Sequence, residues 1–199
     1  MTWMQTYTGK KIDFFNPKPE DFDIQDIAHA LSNICRYNGQ CSRFYSVADH
    51  SIRVAQALRS LGLPLEIQLH GLMHDAAEAY IGDVVKPLKD QLPQYLEAEK
   101  YFEAVLFPAF GLPETIPTVV RQMDMTMLAT EKVQLMNHAI NVDWGEWLDG
   151  VEPLDPDTWI DPRNPSQGKG HFLTMFYHLL GERQYEALRL ASTECNLGE

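Results

Sequence analysis

Apolar residues recur at helical spacing along most of the chain and predict a series of amphipathic helices. The clearest stripe follows Ser46, a favourable N-cap residue with Asp49 three positions later. Near the N-terminus, Thr8-Gly9-Lys10 separates two short stretches and predicts a turn between brief strands. The predicted fold class is therefore mainly α, with a short irregular or β segment at the N-terminus. The predicted helices are Ile24–Arg36, Val47–Ser60, Leu65–Tyr80, Gln94–Phe107, Thr118–Ala139 and His171–Ala191.

The length of 199 residues fits a single domain. Its helical core is expected over about 22–140, followed by an acidic connection over about 143–170 and a C-terminal helix over about 171–191. Residues 143–161 contain seven acidic residues, no basic residue and several tryptophans. Long connections are usually lids, partner surfaces or mobile segments, and the tryptophans favour a packed structural excursion here over a catalytic lid.

The charge distribution limits the classes of partner. A net charge of −12 argues against long nucleic acids, whose phosphates require clustered Lys and Arg. Residues 36–89 hold six basic and five acidic residues, so this segment is about neutral and can receive a small anion.

The apolar runs are too short for a membrane span, and the N-terminus lacks the features of a signal peptide, so a cytoplasmic location is expected. Cys35, Cys41 and Cys195 form no Cys-x-x-Cys pair, which favours reduced thiols.

Candidate chemistry is concentrated in residues 70–89. The predicted helix Leu65–Tyr80 is otherwise apolar, so its polar side chains would face the interior, where such groups are rarely left unpaired. A bound metal would explain them; the alternative is a solvated acidic face with a capping histidine. The acidic and basic residues that follow His70 here are His74, Asp75, Glu78, Asp83, Lys86 and Lys89.

Isolated polar residues on other helices extend this group. His50 lies on the second predicted helix, and Asp124 lies in the middle of the fifth. Together with His74 and Asp75 they provide two imidazoles and two carboxylates, a donor set for a first-row divalent metal with open positions. His70 precedes His74 by four residues, as in zincins, but no Glu follows it, so it is predicted to be a neighbour of the site and not a ligand.

The order His50, His74-Asp75, Asp124 resembles the HD superfamily of metal-dependent phosphohydrolases. The run from His74 to Asp83, followed by Lys86-Pro87-Leu88-Lys89, looks like the bacterial HD-type 5′-deoxynucleotidases. Residues 26–31 and 44–51 also resemble phage-encoded members, some of which hydrolyse deoxynucleoside triphosphates. The resemblance covers about residues 5–140.

The resemblance implies a single HD domain over residues 1–199 that binds one divalent transition metal (Mn, Co, Zn or Fe, with Mg as a further option). Gln40 replaces a histidine common in the phage relatives, which argues against assigning a second metal. The expected substrate is a free (deoxy)nucleotide, either a 5′-monophosphate or a triphosphate such as dATP, and the expected assembly is a homo-oligomer. The implied metal ligands are His50, His74, Asp75 and Asp124, the catalytic carboxylates Glu78 and Asp83, and the substrate-binding residues Arg36, Tyr37, Lys86 and Lys89.

Two alternatives stay open at this level. One is a phosphodiesterase acting on cyclic or short oligonucleotides, and the other is a metal-stabilised binding or regulatory module without turnover. Glu78 and Asp83 argue against the second alternative, because a purely structural site would close its coordination sphere. The sequence does not decide which of the two carboxylates acts as acid and which as base.

Overall fold

The computed structural model describes residues 2–137, 142–155 and 157–195, with side chains at all of them except 146 and 185–195. The prediction of a mainly α fold with a small N-terminal β segment is confirmed. The strands are β1 (Trp3–Gln5) and β2 (Lys11–Asp13), and the helices are α1 (Ile24–Asn33), α2 (Val47–Ser60), α3 (Leu65–Met73), α4 (Glu78–Ile81), α5 (Lys86–Lys89), α6 (Pro93–Ala109), α7 (Thr118–Leu135) and α8 (Pro165–Cys195). Short 3₁₀ turns occur at Pro19–Asp21 and Gly145–Leu148, and Arg36–Gly39 forms a tight turn with left-handed backbone at Tyr37 and Asn38.

The N-terminal hairpin is attached to the helices. Its strands pair antiparallel with Trp3 opposite Asp13, and Gly9 has the positive φ of 88° that the turn requires. The Thr8 backbone N–H donates to Asp26 of α1 at 2.6 Å. Ile12 of β2 is fully buried in the main apolar core. The hairpin therefore covers one side of α1.

The main core lies between α1, α2, α3, α6 and α8, and a second apolar cluster joins α2 to α7. The backbones of α2 and α3 approach closely at Gly71, where an added Cβ would lie 2.3 Å from Leu58 Cδ1. Only glycine permits this separation without displacing the buried leucine. The close packing brings His50 of α2 next to His74 at the end of α3.

Several predicted helix boundaries are wrong. The first helix ends at Asn33, not Arg36, because Ile34 is extended (φ −82°, ψ 118°). The last helix begins at Pro165, not His171, because Asn164 and Gln167 form reciprocal side-chain-to-backbone hydrogen bonds of 3.0 and 3.1 Å. Proline is well suited to the first turn that follows such a cap. Helix α7 ends at Leu135, since Met136 is extended (φ −86°, ψ 158°); the predicted end at Ala139 lies outside the described residues.

The described part of the acidic connection is packed against α7 and α2. The backbone N–H of Leu154 donates to Thr130 Oγ1 at 2.9 Å, and that of Ile160 donates to Gln134 Oε1 at 2.7 Å. Further along, the Arg163 N–H donates to Asp49 Oδ2 at 3.0 Å. These contacts agree with a structural excursion. No helix in the described part of the chain is long and apolar enough to cross a bilayer.

Candidate metal centre

The His74-Asp75 pair lies on a tight turn between two helices, so the predicted continuous helix Leu65–Tyr80 is wrong at its centre. The N–H groups of Ala76 and Glu78 bond to carbonyls three residues back, at 2.9 and 3.0 Å. The Gly71 carbonyl, which would accept from the backbone in a regular α-helix, instead accepts from His74 Nδ1 at 2.8 Å. This bond fixes the tautomer, so that Nε2 of His74 is the nitrogen available to a ligand.

The predicted ligands converge around the two imidazole Nε2 atoms. His50 Nε2 lies 3.0 Å from Asp124 Oδ1 and 3.8 Å from Asp75 Oδ2. His74 Nε2 lies 3.2 Å from Asp75 Oδ1 and 3.9 Å from Asp124 Oδ1. Helices α2 and α7 and the turn after α3 thus each contribute to a single cluster.

This donor set fits a divalent metal. Ligand atoms of His50, His74 and Asp124 all lie within 4.8 Å of one another, and a metal with bonds of about 2.0–2.2 Å needs ligand separations of that order. Both Nε2 atoms are buried, and although carboxylate oxygens lie 3.0 and 3.2 Å away, neither nitrogen makes a hydrogen bond of good geometry with the described residues. Such buried nitrogens are costly unless another group satisfies them. The Asp124 side chain is 36% exposed, so the cluster is open to solvent on that side.

Glu131, which was not among the predicted site residues, contacts the ring nitrogen of His50 that does not face the other predicted ligands. Glu131 is fully buried, and its Oε1 lies 2.6 Å from His50 Nδ1. Burial and Arg36 would each lower the pKa of His50, but Glu131 and Asp124 raise it to about 9. Burial alone would raise the pKa of Glu131, yet Arg36 and His50 lower it to about 2, so it is ionised. The sequence signal for Glu131 is its position two turns after Asp124 on about the same helix face.

The predicted catalytic carboxylates, Glu78 and Asp83, lie within electrostatic range of Asp75. Glu78 is 5% exposed, its Oε2 has no hydrogen-bond partner among the described residues, and its Oε1 lies 3.5 Å from Lys89 Nζ. Burial raises the pKa of Glu78 well above its usual range, and the charges of Asp75 and Asp83 raise it further. Burial also raises the pKa of the half-buried Asp83. Both groups therefore hold protons more strongly than exposed carboxylates do, as acid–base catalysis near neutral pH requires.

The structure brings three of the four predicted substrate residues to this centre. Arg36 lies 3.5 Å from Asp75 through Nη1 and 3.3 Å from Glu131 through Nε. The Tyr37 hydroxyl donates to Glu131. Lys89 bridges Glu78 and Glu99, with Nζ 2.7 Å from the latter. Lys86, by contrast, is 63% exposed and pairs with Asp90 on the surface.

His70 is buried one helical turn before His74 and does not belong to the group formed by His50, His74 and Asp124. It is fully buried and packs edge-on against Phe107, with ring centroids 4.8 Å apart. Neither ring nitrogen has a hydrogen-bond partner among the described residues. Burial, reinforced by the positive charge of His74, lowers the pKa of His70 to about 4. The folded protein therefore keeps this imidazole neutral.

His70→Leu is expected to reduce the loss of stability on acidification of the metal-free protein. The unfolded chain binds a proton on His70 at its ordinary pKa of 6.5, whereas the folded chain does so only at about 4. The contribution of neutral His70 to the free energy of unfolding is thus lost as the pH falls from 6.5 to about 4, by up to about 3 kcal/mol. Urea unfolding with a chelator present, at several pH values across this range, measures the difference. Equal losses in parent and variant would show that His70 does not titrate in this way.

A helical bundle in which facing helices bring together a group of candidate metal ligands that is open to solvent on one side is an architecture that metalloproteins use. The comparisons with known proteins identify its family: residues 47–127, which include all four predicted ligands, match the HD domain model. The uncharacterized protein YfdR of Escherichia coli is 37% identical over 182 residues, covering 90% of this chain and 96% of its own length. An uncharacterized protein of Rhodobacter capsulatus is 34% identical over 125 residues, covering 60% of this chain and 64% of its own.

The chain therefore belongs to the HD domain family, and the resemblance seen in the sequence is confirmed. The HD domain indicates a metal-dependent phosphohydrolase, and the cluster of His50, His74 and Asp124 is in place to bind a divalent metal. The names of the two relatives state no substrate.

Proposed function

We propose that this protein hydrolyses free deoxynucleotides, releasing either orthophosphate from a monophosphate or the triphosphate chain from a triphosphate. The observation that carries the proposal is the buried Glu78 carboxyl beside the metal ligands. A metal site that only stabilises the fold closes its coordination sphere and needs no further carboxyl next to it. A hydrolase needs such a group to move protons.

In the proposed hydrolysis, the metal and the side chains of the protein have different roles. A bound divalent ion would supply Lewis acidity toward a phosphoryl oxygen and the attacking water. The water oxygen bonds to phosphorus while the bond from phosphorus to the leaving oxygen breaks. Of Glu78 and Asp83, the ionised one accepts the proton of the water, and the protonated one donates a proton to the leaving oxygen. Arg36 and Lys89 balance the charge that shifts among the phosphate oxygens.

The features beside the metal centre support a nucleotide as the substrate. Arg36 can pair with a phosphate or sugar edge, and the adjacent Tyr37 ring offers a surface for a sugar or base. Trp144 packs edge-on against Tyr37, with centroids 6.1 Å apart, and supports the ring from the acidic connection. The net charge of −12 favours a small nucleotide over a long polyanion.

A substrate panel with product analysis tests this proposal. Protein loaded with Mn²⁺, Co²⁺ or Zn²⁺ is incubated with deoxynucleoside mono-, di- and triphosphates, cyclic nucleotides and short oligonucleotides. We expect nucleoside together with orthophosphate or triphosphate from at least one deoxynucleotide. Cleavage confined to cyclic nucleotides or oligonucleotides would identify a phosphodiesterase. Metal-loaded protein that leaves every substrate intact would identify a binding module.

A further inference from the structure

The buried carboxylate of Glu131 contacts both halves of the site, which are the metal centre and the Arg36-Tyr37 segment assigned to the nucleotide. It lies in α7, seven residues after the ligand Asp124, and is fully buried. Its Oε1 lies 2.6 Å from His50 Nδ1, while its Oε2 accepts the Tyr37 hydroxyl and lies 3.3 Å from Arg36 Nε. A buried carboxylate is costly unless it is paired, and these partners belong either to the metal centre or to the segment assigned to the nucleotide.

The contact with His50 determines how that imidazole can bind a metal. The group bonded to the other ring nitrogen sets the tautomer, the ring orientation and the strength of the ligand. For His74 this group is the backbone carbonyl of Gly71, at 2.8 Å. For His50 it is the Glu131 carboxylate, which carries a negative charge. The orientation of His50 therefore depends on a side chain that a substitution can remove, whereas that of His74 depends on a backbone carbonyl.

The contacts with Arg36 and Tyr37 act on a strained segment. Tyr37 and Asn38 have φ values of 56° and 52°, in the left-handed region. Such a conformation costs of order 1–2 kcal/mol for a residue other than glycine, and it persists where surrounding contacts hold it. The Arg36 N–H donates to the Tyr45 carbonyl at 2.9 Å and holds the backbone. Glu131 holds both side chains toward the metal centre.

We propose that Glu131 is a positioning residue that serves both halves of the site at once. Through Oε1 it orients His50 for the metal, and through Oε2 it holds Arg36 and Tyr37 for the nucleotide. The second role rests on the proposed function, whereas the first rests on the metal centre alone. Glu131 touches neither the phosphate nor the attacking water in this scheme; it acts through the residues that do.

Glu131→Gln tests the proposal because it keeps the size of the side chain but removes its charge and one acceptor oxygen. We expect the affinity for Mn²⁺ or Co²⁺ to weaken by about 10- to 100-fold, measured by competition with a chromophoric chelator without nucleotide. We also expect a higher KM for the deoxynucleotide at saturating metal. Glu131→Asp keeps the charge that Arg36 requires but is too short to reach all its partners. Where Glu131→Gln yields no folded protein, Glu131→Asp is expected to weaken metal binding as well.

Two comparison variants separate the roles. Tyr37→Phe removes the hydroxyl but leaves the contact between His50 and Glu131, so it should raise KM and leave metal affinity unchanged. The exposed Glu152, replaced as Glu152→Gln, controls for the loss of one negative charge and should change neither quantity. A lower melting temperature of Glu131→Gln with parental metal affinity and KM would reduce Glu131 to a structural role and overturn the proposal. If the parent protein hydrolyses no nucleotide, the proposed function fails, while the chelator competition still decides the role toward the metal.

Discussion

Glu78→Gln is expected to retain the metal and to lower kcat by about 10²- to 10⁴-fold, the range typical for a general acid or base. Glutamine has nearly the same shape as glutamate but cannot transfer the proton. Folding should tolerate the change, because burial already disfavours the charge on Glu78 and Lys89 keeps its 2.7 Å contact with Glu99. Metal content by elemental analysis and single-turnover hydrolysis give the two readouts.

The matched control for this variant is Glu97→Gln, which makes the same chemical change at an exposed position on α6. It should hydrolyse nucleotide at the parental rate. A parental rate for Glu78→Gln would remove Glu78 from the mechanism. If Asp83→Asn also kept the parental rate, the assignment of this carboxyl pair to proton transfer would be wrong.

Asp75→Ala is expected to lose the metal and, with it, measurable turnover. Asp75 has carboxylate oxygens 3.2 Å from His74 Nε2 and 3.8 Å from His50 Nε2, so its removal takes one donor from the centre of the cluster. The fold should persist, because Arg36 remains paired with Glu131 at 3.3 Å. A ligand that binds only the folded state stabilises it by about 2.7 kcal/mol at 100 times its dissociation constant. Mn²⁺ should therefore raise the melting temperature of the parent and not that of Asp75→Ala.

Asp157→Ala, at an exposed position of the acidic connection, is the control for nonspecific binding of cations by carboxylates. It should show the same thermal shift with Mn²⁺ as the parent. Equal shifts in the parent, Asp157→Ala and Asp75→Ala would indicate that the cation binds somewhere other than at the His74-Asp75 pair.

The sequence supports the prediction of the metal ligands because their signals are local. An imidazole or a carboxylate within an apolar helical stripe, or at its edge, needs a partner, and His50, His74 and Asp124 each occupy such a position. Asp75 follows from its adjacency to His74. The start of α2 at Val47 was likewise predictable, since Ser46 caps it through a local hydrogen bond of 3.1 Å to the Asp49 N–H.

Features that depend on side-chain contacts were not predictable in the same way. The tight turn at His74 arises because its own imidazole occupies the Gly71 carbonyl, and helical periodicity does not reveal such a bond. The different directions of Lys86 and Lys89 depend on their pairing with Asp90 and Glu99. Glu131 shares the helix face of Asp124, but only the packing of α2 against α7 places it behind His50.

The dependence of deoxynucleotide hydrolysis on metal occupancy tests directly whether the predicted metal centre and Glu78 carry the reaction. Metal-free protein is reconstituted with increasing Mn²⁺ or Co²⁺, and turnover is measured against bound metal per chain, in parallel with Glu78→Gln. A site built from His50, His74, Asp75 and Asp124 predicts turnover that rises in proportion to occupancy and saturates at about one metal per chain. Glu78→Gln should bind the same metal and stay near the baseline. Turnover that is independent of bound metal would show that the metal centre does not carry the hydrolysis, and equal turnover in the two proteins would show that Glu78 does not.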